Sequence, residues 1–146
     1  MTALIITGHG HFASGLYSAL ELIVGPQTNV FPLDFTAELS STDLKVAMLS
    51  AIQGTDAEEI LILSDLAGGT PFKTSALLAT EFTDRPIKVI SGTNLPMLLE
   101  IAMVKDHFDA TQLIQQAESM GHQGIKPFAL DFTTSRAQAE ADADGI

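Results

Sequence analysis

The sequence predicts an α/β protein. Its three-layer architecture has a mostly parallel sheet, in strand order 2-1-3-4, covered by helices on both faces. Two observations carry this. Leu4-Ile5-Ile6 and Ile60-Leu61-Ile62-Leu63 are short, unbroken apolar runs, the pattern of strands buried on both faces. Stretches with apolar residues at helical spacing separate the strand-like runs, and strands alternating with helices imply a parallel sheet covered on both sides.

The elements follow in order. The first strand stops at Gly8. A helix then carries Phe12, Leu16, Leu20, Ile23 and Val24 and ends at Gly25-Pro26. Val30 to Phe35 reads as a strand. Pro32 has no N–H for a ladder hydrogen bond, so this strand belongs at an edge. Leu44, Ala47, Met48, Ala51 and Ile52 form a second helical stripe, with Ser41 or Thr42 able to cap its start and Gly54 beyond its end. The third strand, Ile60 to Leu63, stops at Ser64-Asp65. Gly68-Gly69-Thr70-Pro71 then opens a helix to about Thr80, with Thr70 as N-cap and Pro71 at the first helical position. Ile87 to Ile90 is the fourth strand, ending at Ser91-Gly92. Asn94 caps a helix carrying Leu95, Leu98, Leu99, Ala102 and Met103, and a short helix around Leu113, Ile114 and Ala117 ends at Gly121. Phe128, Leu130 and Phe132 alternate along a last strand, and Pro127 places it at an edge. The expected order is therefore βαβαβαβααβ. Residues 1–132 form a single domain, and 133–146 form an acidic, small-residue tail expected to be flexible.

Composition narrows the function. The chain has 146 residues and 46% apolar content, enough for one domain with a real core. Seven Lys+Arg against 18 Asp+Glu give a formal charge of −11, which argues against nucleic acid or an anionic membrane surface as partner. There is no cysteine, so disulfides, thiolate metal sites and a cysteine nucleophile are excluded. No run approaches the roughly 20 apolar residues of a membrane span, and the N-terminus lacks the basic flank of a targeting signal. A soluble, cytoplasmic protein without direct membrane insertion is expected.

In an open parallel sheet the ligand sits beyond the carboxyl ends of the strands, where the strand order reverses. For order 2-1-3-4 that point lies between the first and third strands. It makes neighbours of the Gly8-His9-Gly10-His11 loop and the Asp65-Leu66-Ala67-Gly68-Gly69-Thr70-Pro71 loop. His9 is thereby placed beside Asp65. A carboxylate that holds one ring nitrogen fixes the tautomer and leaves the other free as a nucleophile. Gly10, Gly68, Gly69 and Thr70 can cradle an anion such as a phosphoryl group, because a helix N-terminus presents free N–H groups and a favourable dipole. The set describes phosphoryl transfer to and from histidine.

Other readings exist for the same residues. His9 and His11 could be a pair of metal ligands, but no third ligand stands out, so neither a metal nor a cofactor is expected. His107 and His122 sit in polar contexts and read as surface residues. Gly8-His9-Gly10 with Ala13 satisfies a loose dinucleotide-binding pattern, with Asp34 where a ribose-binding acid would sit. Against it, His9 would crowd a pyrophosphate, and no P-loop is present.

Three ordered motifs carry a family resemblance: Gly8-His9-Gly10 with Phe12-Ala13-Ser14-Gly15, Ser64 through Phe72, and Gly92-Thr93-Asn94-Leu95-Pro96-Met97. Over residues 1–132 the chain resembles mannose-family enzyme IIA components of the bacterial phosphoenolpyruvate-dependent sugar phosphotransferase system. The resemblance implies that His9 accepts a phosphoryl group from the phosphocarrier HPr and passes it to a IIB component, with membrane IIC and IID components selecting the sugar. It implies that Asp65 hydrogen-bonds the active histidine, that Thr70 lies beside it, and that the last strand is exchanged in a homodimer. Phe12, Leu66, Phe72 and Asn94 are expected to border the docking face for HPr. The related phosphocarrier subunit of dihydroxyacetone kinase is a second reading. Its loops lack the Gly-Gly-Thr-Pro-Phe run.

Overall fold

The computed structural model describes residues 1–130. The elements are β1 (Thr2–His9), α1 (Phe12–Val24), β2 (Val30–Phe35), α2 (Ser41–Gln53), β3 (Glu59–Ser64), α3 (Thr70–Glu81), β4 (Ile87–Ile90), α4 (Leu95–Val104) and α5 (Ala110–Gln123). The sheet has the order β2-β1-β3-β4, and all three strand pairs are parallel.

The unbroken apolar runs of the central strands follow from burial on both faces. Successive side chains of a strand point to opposite sides. Leu4 and Ile6 of β1, with Leu61 and Leu63 of β3, pack under α1, α4 and α5. Ala3, Ile5, Ile60 and Ile62 pack on the other face under α2 and α3. All eight side chains are 0% exposed, and each Leu or Ile so buried contributes roughly 1.5–3 kcal/mol of transfer free energy. β2 lies at one edge, as Pro32 requires, with Pro32 in register with Ile6.

The helix ends depart from expectation in detail. Ser40, one residue earlier than expected, caps α2: its hydroxyl accepts the Asp43 N–H while the Asp43 carboxylate accepts the Ser40 N–H. The reciprocal geometry needs an acid at the third helical position, and Ser40 is the residue three before Asp43. Gly69, not Thr70, is the N-cap of α3, so Thr70 and Pro71 are its first two helical residues. Asn94 caps α4 by accepting the Met97 N–H. α5 runs past Gly121 to Gln123. A Cβ there would meet the Met97 sulfur at 3.2 Å, so Gly121 serves close packing on α4 and not termination. Residues 125–130 have no regular secondary structure, and the rest of the expected last strand, with the tail, lies outside the described residues.

Candidate active site

The register of β1 and β3 builds the site. Thr7 pairs with Ser64, so the chain delivers His9 and Asp65 side by side just beyond that pair. Asp65 Oδ2 accepts the His9 backbone N–H at 2.9 Å and lies 2.7 Å from His9 Nδ1, while Oδ1 accepts the Leu66 N–H at 2.7 Å. Burial opposes ionisation of Asp65. The hydrogen bonds from His9 and Leu66, with the adjacent imidazole, outweigh it and hold the carboxyl below the usual carboxylate range. An ionised carboxylate can only accept, so Nδ1 carries the ring proton and Nε2 keeps its lone pair.

Neighbouring segments fix both residues. The fourth loop clamps the backbone around Asp65: Gly92 N–H donates to the Asp65 carbonyl at 3.0 Å, and the Thr93 hydroxyl donates to the Ser64 carbonyl at 2.7 Å. The Phe35 ring meets the His9 imidazole edge-on, with centroids 6.1 Å apart. Gly69 lies against the other side. A Cβ on it would stand 2.7 Å from His9 Cε1 and 3.4 Å from Nε2. The free nitrogen of His9 therefore sits at the N-terminal end of α3, where the Thr70 and Phe72 N–H groups have no intrahelical acceptor and the dipole favours an anion. The side chain of His9 is 49% exposed, open to an incoming group.

The expected site residues divide. His9, Asp65 and Gly69 come together. Gly68, at φ +82°, makes the turn that aims the loop into α3. Thr70 is at the first helical position. Gly10 gives its N–H to the Phe35 carbonyl at 2.7 Å, so that N–H is not available to a phosphoryl oxygen. Of the expected docking residues, Leu66 is exposed and Phe72 half-buried, whereas Phe12 packs into the α1 side of the core, within reach of any Cβ at Gly8. Asn94 is a brace: besides capping α4 it donates to the Gly121 carbonyl at 3.0 Å. His107 and His122 are on the surface.

The structure also shows a second histidine–carboxylate pair. Asp34 accepts the Ser14 N–H at 2.8 Å and the Ser14 hydroxyl at 2.6 Å, and lies 3.1 Å from His11 Nδ1. It therefore caps the start of α1 from the end of β2 and is spent there, which removes it as a ribose ligand. The signal for it, and for Phe35 against His9, was the 2-1 strand order, since in that pairing Gly8 and His9 stand opposite Asp34 and Phe35. Among the described residues no group of three or more His, Asp and Glu is placed to hold a metal ion, and no helix is long and apolar enough to cross a membrane.

Residues 3–118 match the family model described as "PTS system fructose IIA component". The sorbose-specific EIIA component of the Lacticaseibacillus casei PTS is 35% identical over 111 residues, 76% of this chain and 79% of that protein. The fructose-specific EIIA component of Bacillus subtilis (strain 168) is 29% identical over 127 residues, 86% of each chain. The crystal structure of phosphotransferase system component EIIA from Streptococcus agalactiae superposes with a TM-score of 0.82 at 43% identity, covering 88% of this chain and 98% of that one.

Proposed function

Since this chain belongs to the IIA component family of the sugar phosphotransferase system, we propose that it carries a phosphoryl group on Nε2 of His9, taken from phospho-HPr and delivered to a histidine of a IIB component. A phosphocarrier role in that system is the family's own. The assignment to His9 rests on one observation: Asp65 holds Nδ1 at 2.7 Å while Gly69 and the start of α3 face the opposite side of the ring.

The step follows from that arrangement. The Nε2 lone pair attacks phosphorus, the N–P bond to the donor histidine breaks, and its electron pair returns to the donor ring. The phosphorylated His9 ring retains the Nδ1 proton and is cationic, and the Asp65 carboxylate compensates that charge. First-turn N–H groups of α3, with the Thr70 hydroxyl, stabilise the phosphoryl oxygens. Transfer to IIB runs the same step in reverse with a new acceptor nitrogen. Leu66 and Phe72 border the docking face, IIC and IID complete the transporter, and the cytoplasm is the compartment where these partners meet.

The carrier works as a homodimer in which residues 128–132 pair with a partner copy. Support comes from the outer edge of β4, which has no strand partner among the described residues, and from Phe128 and Leu130, 77% and 80% exposed in the single chain.

Incubation with phosphoenolpyruvate, enzyme I and HPr, read by intact mass, tests the reading. The chain gains one acid-labile phosphoryl group, and His9→Ala gains none. Labile phosphate on His9→Ala overturns the assignment.

A further inference from the structure

We propose that Phe35 is a positioning residue for His9: its ring walls the imidazole from the β2 side and keeps Nε2 aimed at the start of α3. The role deepens the carrier reading and rests on it.

The need arises from a torsion. The Cβ–Cγ bond of histidine joins an sp³ to an sp² carbon, and rotation about it is broad and roughly two-fold. The His9 side chain is 49% exposed, so close packing does not lock it. The Asp65 contact at 2.7 Å restrains Nδ1. One hydrogen bond still leaves the ring free to tilt about that contact. Transfer depends on where the opposite nitrogen points, so a second restraint is required.

Phe35 is placed to supply it. β1 lies between β2 and β3, so two strands address its end. Asp65 and Gly69 follow β3. Phe35 ends β2, in register with His9. The two ring centroids are 6.1 Å apart and the planes meet at 73°. That is inside the ~4.5–7 Å range in which edge-to-face aromatic pairs attract. Phe35 is itself anchored: it is half-buried and packs, with Phe31 and Leu33 of the same strand, on the core beneath α2 and α3.

The backbone adds a second tie. Gly10, at φ +59°, turns the chain after β1 so that its N–H reaches the Phe35 carbonyl at 2.7 Å and closes an antiparallel bridge. Asp34, the preceding residue of β2, accepts the Ser14 N–H at 2.8 Å. The end of β2 therefore holds the imidazole through a phenyl ring, the next residue through a carbonyl, and the start of α1 through a carboxylate. Leu33 is the contrasting residue. It packs on the same core from the same strand, but its register partner is Thr7 and not His9.

Two measurements on the full chain test the proposal. Heteronuclear NMR of the unphosphorylated protein reads the His9 ring nitrogens with no phosphoryl donor present. The parent shows the Nδ1–H tautomer. Phe35→Leu draws the two nitrogen shifts together, the mark of mixed tautomers in a loosened ring. Phe35→Tyr restores the parental pattern, and Leu33→Ala keeps it while lowering stability. Steady-state phosphorylation by phospho-HPr is then measured at a temperature where every variant is folded. Phe35→Leu lowers kcat about tenfold at unchanged KM for HPr, a partial loss where a misplacement of about 1 Å can cost about 100-fold. Leu33→Ala keeps the parental kcat. The proposal is overturned by parental kcat in Phe35→Leu, by a loss carried wholly by KM, by equal kcat losses in Phe35→Leu and Leu33→Ala, or by unchanged ring signals in Phe35→Leu. A parent chain that takes no phosphate overturns the carrier reading instead, and the ring signals then still decide whether Phe35 orders the imidazole.

Discussion

One oxygen of Asp65, Oδ2, holds both ends of His9, accepting its backbone N–H at 2.9 Å and lying 2.7 Å from its ring Nδ1. The imidazole is thus fixed in position and tautomer by a single carboxylate. Asp65→Asn keeps the shape but offers the ring an amide that can donate to Nδ1, which moves the proton to Nε2 and blocks the nucleophile. Phosphorylation by phospho-HPr should slow by about 100-fold or more, the usual scale for losing a positioned proton partner. The amide group also meets the His9 backbone N–H that Oδ2 accepts, so stability at neutral pH should fall modestly, and the rates are compared at a temperature where both proteins are folded. Stopped-flow or quench kinetics with unchanged rates would remove the orienting role.

Gly69→Ala separates packing from chemistry. The added Cβ would stand 2.7 Å from His9 Cε1, too close to be tolerated in place. Gly69 has φ −73°, which alanine adopts freely, so the backbone does not object. The half-exposed His9 ring swings aside instead. Stability should fall by no more than about 1 kcal/mol, the difference between glycine and alanine at an N-cap. Phosphoryl acceptance should drop far more than stability does. A variant that accepts phosphate at the parental rate would contradict the placement of Nε2 against α3.

Asp34 predicts a pH signature. Burial opposes its ionisation, but hydrogen bonds from the Ser14 hydroxyl, the Ser14 N–H and His11 hold its carboxyl below the usual range. An unfolded Asp titrates near ~3.9, so folded Asp34 binds its proton more weakly than unfolded Asp34. Its stabilisation is whole above about pH 4 and is lost as pH falls through the folded-state value. Asp34→Asn should therefore be less stable than the parent at neutral pH, with the gap closing on acidification. Urea titrations at several pH values read this directly, and a gap independent of pH would refute it.

Asn94 joins two helices, capping α4 at the Met97 N–H and donating to the Gly121 carbonyl of α5. Asn94→Ala should cost about 1–2 kcal/mol, a cap plus one hydrogen bond. Single-turnover phosphorylation at a temperature where the variant is folded should stay near parental. A selective loss of HPr affinity with full stability would restore a docking role to this residue.

The central strands were legible because burial on both faces writes an unbroken apolar run. The edge position of β2 was legible because Pro32 cannot donate to a ladder. Strand order then placed His9 beside Asp65 before any coordinate did. What sequence hid was short-range competition for donors. Ser40 displaces Ser41 because Asp43 closes a reciprocal cap on it, and Gly10 spends its N–H on Phe35. Asn94 was legible as the cap of α4 and Phe12 as part of the α1 stripe, but nothing in the sequence marks the second bond of Asn94, to the Gly121 carbonyl of α5.

The segment after α5 yields the last prediction. Ile125, Phe128 and Leu130 are 74%, 77% and 80% exposed in the single chain, an apolar series that water disfavours. Beside it, Phe72, Val89, Ile90, Met97 and Ile114 line an apolar groove of about 500 Å³ along β4, whose outer edge has no strand partner among the described residues. A bare edge and a bare apolar segment are each an aggregation hazard, and pairing one with the other between two copies removes both. Light scattering coupled to size exclusion should give a dimer at micromolar concentration. Phe128→Asp with Leu130→Asp should give a monomer whose His9 still accepts phosphate, because both residues follow α5 and neither lies in the loops that hold the imidazole. A monomeric parent chain, or a dimer indifferent to both charges, would exclude exchange through this segment.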